Sequence, residues 1–272
     1  MEMTMRRISL VTRLALLAAA FLSTVSLKAE TTNGLSAAEI KGRELAQQLC
    51  QAQPTENFTN SGTLQIRDGK GKKLELPITI QTVVTATNWF SRYAARFGTN
   101  AMGPTTLEIS HEGADSNRYL LLESNKTTDL SVAFRLPVGM GGIGNRTFIP
   151  FANSDFWLCD LGLEFFHWPA QKALPNTTRL KRGRAYTLLE STNPNPPTNG
   201  YSRVLSWIDL ETGGILQAEA YDAKGKLLKT FEPKSFKKIN GQWELQEMEI
   251  RNVQTGSRTR LEFDLKKTAT SS

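Results

Sequence analysis

From residue 186 to residue 265 the chain is a run of short segments of period two, separated by explicit turn residues. No other feature restricts the fold as strongly. Successive side chains of a strand point to opposite faces, so alternation means one dry face and one wet face. Leu261, Phe263 and Leu265 alternate in this way with Arg260, Glu262, Asp264 and Lys266. The expected strands are 186–190, 203–209, 215–221, 227–231, 235–239, 242–251 and 259–265. The turns lie at 211–214, 223–226, Asn240-Gly241 and 254–256, and Asn-Gly is the strongest short hairpin signal. Successive hairpins build an antiparallel sheet, and a sheet this long curls.

The first half adds hairpins and a cover. Residues 63–67, a turn at 68–71, and a strand from Leu74 read as one hairpin; 107–111 and 119–122 read as another. Pro77 has no N–H to give a ladder, so its strand is expected to be an edge there, or to begin after it. Before these, Ser36 with Glu39 forms a capping box, and Ala38, Gly42, Leu45 and Leu49 recur at helical spacing until Pro54. Residues 151–168 are the most apolar and aromatic stretch, with Asp155 as a candidate cap for a short helix. That stretch either plugs the core or lines a cavity. The fold class is therefore mainly β (α+β): a curled antiparallel sheet covered by an N-terminal helix and a short middle helical segment.

Arg6, Arg7 and Arg13 precede an uncharged run at 14–27, too short to span a bilayer and suited to a signal peptide. Residues 1–29 are read as a cleaved export signal, with Ala29 before the cut, and 30–272 as a single domain. The leader carries Arg6, Arg7, Arg13 and Lys28 against Glu2, so its removal lowers the formal charge from +7 to +4. With no compact basic helix, that mild excess gives no case for nucleic acid. In an oxidising compartment Cys50 and Cys159 can pair, and a disulfide is the preferred reading over two buried thiols.

Catalytic patterns are sparse. His111 and His167 are the two histidines, and neither belongs to a metal-ligand set. Cys159 with either histidine, or Asp155 with Asp160, can be drawn as a catalytic pair, but core and helix-end roles explain them better. The G-x-G-x-x-G at 139–144 lacks the strand before it and the helix after it that a dinucleotide site requires. Arg179, Lys181, Arg182 and Arg184 form a basic cluster, read as a solvated turn rather than a docking patch for an acidic partner or lipid head groups. No enzyme activity and no cofactor are expected.

Asn153-Ser154-Asp155-Phe156 with Asp160-Leu161 resembles the G-S-D-F…D-L element of bacterial outer-membrane lipoprotein-sorting (LolA-like) proteins. The stretch 183–188, the strand 204–209, the turn around Tyr221-Asp222, Gly241-Gln242-Trp243 and the run 252–261 continue the match in order. The resemblance covers about residues 150–265, with Asn153 in place of glycine and Trp157-Leu158-Cys159 in place of a more polar run. It implies a half-open β-barrel closed by helices, binding lipid or lipoprotein acyl chains outside the cytoplasm. It also implies transient inner- and outer-membrane protein partners. The expected cavity lining is Ile78, Ile80, Val84, Trp89, Phe156, Trp157, Phe165 and Phe166, with Leu45 and Leu49 on the lid helix. Arg92 is the candidate for the family's helix-locking arginine. A periplasmic sensor on the same scaffold is the alternative function, and a hydrolase using Cys159 or Asp155 is a third.

Overall fold

The computed structural model describes residues 34–98, 104–113, 115–124, 131–135, 147–175, 180–239 and 242–265. The expected leader, the 139–144 motif, Arg179 and the Asn240-Gly241 turn lie outside these residues. Among the described residues no helix is long and apolar enough to cross a membrane.

Helix α1 (Ala37–Gln51) opens the described chain, and the Ser36–Glu39 capping box that starts it is formed in both directions. Strands β1 (Phe58–Arg67), β2 (Lys73–Val84), β3 (Trp89–Ala95), β4 (Thr105–His111), β5 (Arg118–Ser124) and β6 (Ser131–Arg135) follow as a meander. Within residues 147–169, helix α2 (Leu158–Leu161) lies between two short 3-10 turns. Strands β7 (Ala170–Leu174), β8 (Tyr186–Thr192), β9 (Tyr201–Asp209), β10 (Ile215–Asp222), β11 (Leu227–Ile239), β12 (Gln242–Asn252) and β13 (Arg258–Phe263) complete the chain.

All thirteen strands form one antiparallel sheet, in the order β6-β5-β4-β3-β2-β1-β13-β12-β11-β10-β9-β8-β7. The two meanders join where β1 pairs with β13, Leu64 standing opposite Leu261. The sheet curls, its edges β6 and β7 do not pair with each other, and the result is a half-open barrel. The expected fold class holds.

Three sequence expectations change in detail. Pro77 lies inside β2, which pairs with β1 and β3 and is not an edge strand. Its carbonyl accepts from Arg96 N–H (3.0 Å), just past the last β3 pair, Ile78 with Ala95. The missing N–H faces that same side, so proline withholds only the reciprocal bond to Arg96, at the point where the β2–β3 ladder stops, and its pairing with β1 is untouched. The segments expected at 227–231 and 235–239 are one strand, carried past Pro233 by register shifts around Ser235. Asp155 does not cap α2: Trp157 is the N-cap, and its N–H donates to Asp160 Oδ2 (2.8 Å). β6 and β7, five residues each, were not foreseen.

Residues 148–168 fill the concave face. Phe151, Phe156 and Leu158 pack with Leu64, Ile80 and Leu107 on one half of the sheet. Cys159, Phe165, Phe166 and Trp168 pack with Leu189, Val204 and Ile208 on the other half. Helix α1 lies over β7, and Gly42 explains how closely. A Cβ at Gly42 would sit 2.5 Å from the backbone nitrogen of Lys172.

Candidate functional site

Between the curled sheet and its cover lies an apolar cavity of about 170 Å³. The sheet contributes Phe58, Trp89, Ile215, Ala218, Leu245 and Met248. The roof contributes Leu49 and Cys50 of α1, and Phe156, Leu161, Phe165 and Phe166 of the middle segment. The aromatic stretch thus does both things its sequence allowed: it packs the core and it bounds a void.

Of the expected lining, Leu49, Trp89, Phe156, Phe165 and Phe166 border this cavity, and Leu45, Ile78, Ile80, Val84 and Trp157 do not. Ile78 and Ile80 are sealed into the core around Phe151. Leu45 packs against the second cluster, beneath α1. Trp157 stacks on Tyr201 with ring centroids 4.8 Å apart. Small residues absent from the expectation, Ala218 and Ala220 of β10, also border it.

The roof is pinned by buried polar contacts. Lys229 of β11, 2 % exposed, donates to the Asp155 carbonyl at 2.6 Å and pairs with Asp160 Oδ2 at 3.3 Å. Its ammonium also lies 3.4 Å from the Trp157 ring centroid. Burial lowers the Lys229 pKa, and the neighbouring Asp160 carboxylate opposes that shift. Tyr201 Oη donates to Asp160 Oδ1 at 2.9 Å. Asp155 is held from the start of β13, accepting from Thr259 Oγ1 (2.9 Å) and from Ser257 Oγ (2.5 Å) just before the strand. Farther along, the Gln171 amide donates to the Phe165 and Trp168 carbonyls (2.9 and 2.8 Å) and accepts from Ser191 Oγ (2.7 Å).

A second buried set lies under the roof's far end. Tyr119 Oη donates to Glu164 Oε2 at 2.8 Å, and Asn117 Nδ2 donates to the Gly162 carbonyl at 2.7 Å. Gly162 is required here, because a Cβ would stand 2.2 Å from Tyr119 Oη. Burial pushes the Glu164 carboxyl up to about 7. His111 stacks on Trp89 (centroids 3.7 Å apart), with Nε2 2.7 Å from Ser91 Oγ, and burial lowers its pKa to about 3. It is a neutral imidazole in the cavity wall.

Other candidates are redirected. Cys50 and Cys159 are free thiols, which corrects the expected disulfide. Cys159 is sealed inside α2 with its Sγ directed to Asp160 Oδ1 (3.9 Å), while Cys50 faces the cavity. Burial pushes the Cys50 thiol up to about 12 and raises Cys159 as well, the reverse of what a nucleophile needs. Arg92, 54 % exposed, pairs with Glu108 on the outer face at 2.6 Å and does not hold the roof. Among the described residues the buried cation is Lys229. Its sequence signal was a lysine at an inward position of β11, opposite Ala220.

A family model described only as that of an uncharacterized protein matches residues 146–270. No curated protein matches the sequence. Among solved structures, a DUF1329 family protein from Desulfovibrio piger superposes with a TM-score of 0.64 at 18% identity, over 87% of this chain and 95% of that one. A domain named for outer-membrane lipoprotein sorting, from Vibrio parahaemolyticus, gives 0.64 at 18% identity over 86% and 94%. A LolA superfamily protein from Nitrosomonas europaea gives 0.52 at 16% identity over 86% and 95%. The roofed, half-open sheet of this chain is the LolA-like fold.

Proposed function

We propose that this protein is an exported carrier that holds acyl chains of a lipid or lipoprotein between its sheet and its roof. The observation that carries this reading is the apolar void itself, bounded by Leu49 and Phe166 above and by Ala218 and Met248 below. Apolar cavities of about 150 Å³ stay dry and accept a benzene-sized guest. The space here, about 170 Å³, suits one short hydrocarbon segment. A full acyl tail requires the roof to rise. Each methylene then moved out of water contributes about 0.8 kcal/mol.

The chemistry of the wall supports an apolar guest. Among the described lining residues the charged side chains Lys229 and Asp160 neutralise each other. The thiols are raised and His111 is neutral, so the lining offers binding and no activated nucleophile. The residues 1–29 are the proposed export signal that delivers the carrier to the periplasm.

The test is equilibrium binding of a fluorescent fatty acid, followed by displacement with an acylated peptide. Saturable binding, displaced by the acylated peptide and not by its unacylated form, is expected. A folded protein that binds neither ligand contradicts the reading.

A further inference from the structure

We infer that the rim beside the cavity is a docking surface for an anionic lipid bilayer, built from four exposed apolar side chains and the cations between them. β10 begins, β11 ends and β12 begins at one end of the sheet. Phe58, Trp89, His111 and Ile215 border the cavity at that same end. There Trp243 is 60% exposed, Phe236 42%, Leu210 64% and Leu180 57%. Most large exposed hydrophobic side chains of the described residues therefore collect at one rim.

The charges fit the same partner. The loop before β8 comes to this end, because Tyr186 pairs with Asp209. Arg182 there is paired with Glu232, and Arg184 with Asp209 and Glu211, so among the described residues Lys181 is the loop cation without a carboxylate partner. Arg182 Nη1 donates to the Pro233 carbonyl of β11 at 2.6 Å, so the loop is fastened to the aromatic hairpin. Lys238 stands opposite Trp243, with Lys237 beside it. Among the described residues neither lysine forms an ion pair with a carboxylate. Lys181, from the cluster read in the sequence as a solvated turn, thus joins Lys237 and Lys238 on an amphipathic surface.

A protein partner would fit this surface less well. Cores of protein interfaces are depleted of lysine, whereas bilayer interfaces favour tryptophan flanked by lysine and arginine. Each basic side chain near an anionic surface adds to binding, and the effect weakens with salt. Leu245, two residues along β12 from Trp243, already lines the cavity. Docking would set the void beside the lipid that fills it.

The test uses the chain as the cell processes it, purified without detergent, and vesicles of phosphatidylcholine and phosphatidylglycerol in a roughly two-to-one ratio. Flotation should show binding to these vesicles, weakened by salt, and little binding to phosphatidylcholine alone. Trp243 is the most exposed tryptophan, so brominated lipid should quench part of the emission. Phe236→Ser/Trp243→Ser and Lys237→Gln/Lys238→Gln should each weaken vesicle binding about tenfold or more. Both variants should bind fluorescent fatty acid as the parent does, which separates this inference from the carrier reading. It is overturned if the parent ignores anionic vesicles or binds neutral ones equally. It is also overturned if both folded variants bind like the parent, or if sedimentation shows the rim buried between two copies.

Discussion

Lys229 of β11 sets its ammonium 3.3 Å from the Asp160 carboxylate of α2, and the same ammonium reaches the Asp155 carbonyl at 2.6 Å. One side chain rooted in the sheet thus holds two points of the roof. Removing one partner of a buried pair leaves the other charge uncompensated, at a cost of about 3–5 kcal/mol. Lys229→Met should therefore lower stability by about that amount in urea unfolding. Lys229→Met with Asp160→Asn should recover part of the loss. A single variant as stable as the parent would show that the contact does not fasten the roof.

Gly42 gives a test whose sign decides the matter. In an exposed helix, Gly→Ala stabilises by about 1 kcal/mol. Here the new methyl would stand 2.5 Å from Lys172 N of β7. Overpacking of this kind costs about 1–3 kcal/mol. Gly42→Ala should therefore destabilise the protein in thermal melts and open the cavity to apolar dyes. A stabilised variant would mean that α1 does not lie on β7.

Glu164 gives the pH dependence a direction. Its carboxyl rises from an ordinary 4.5 to about 7 in the fold. The folded state therefore pays nothing for it below pH 4.5 and loses stability as pH rises through 7. At 1.36 kcal/mol per pKa unit, the full penalty is about 3 kcal/mol. Glu164→Gln can still accept from Tyr119, and it should be the more stable protein at alkaline pH, with the advantage gone in acid. His111 acts in the opposite sense, since its lowered pKa makes the fold lose stability as pH falls below 6.5. The difference between variant and parent cancels that contribution. Denaturant midpoints across the pH range are the measurement, and a pH-independent difference would contradict it.

The thiols test the corrected pairing. With burial raising both, almost no thiolate exists at neutral pH. Alkylation of the native protein should be slow at Cys50 and absent at Cys159. An acyl ligand in the cavity should slow it further at Cys50, which borders the void. Mass spectrometry of the trapped protein should count two free thiols, and a mass lower by two hydrogens would restore the disulfide.

The parts legible in the sequence are those encoded locally. The alternation at 258–263, the Ser36–Glu39 box and the turn around Asp222-Gly225 each specify themselves within a few residues. β7 and β6 were missed because five-residue strands carry too little alternation to read. The cavity was half legible. Phe156, Phe165 and Phe166 announced an apolar cover, but which inward residues meet the void depends on where the cover sits. Ile80 falls beneath Phe151 and is sealed, whereas Ala218 on the opposite half is left open. Lys229 was hidden because its partners Asp155 and Asp160 lie about seventy residues away.

The most direct test of the carrier account is native mass spectrometry of protein purified without detergent, beside Ala218→Phe, which places a ring in the void. The account predicts that the parent carries the mass of an acyl lipid, released on denaturation, and that folded Ala218→Phe runs at its bare mass. A parent that runs bare and takes up no added acyl lipid, or a variant that keeps the same lipid, would contradict it.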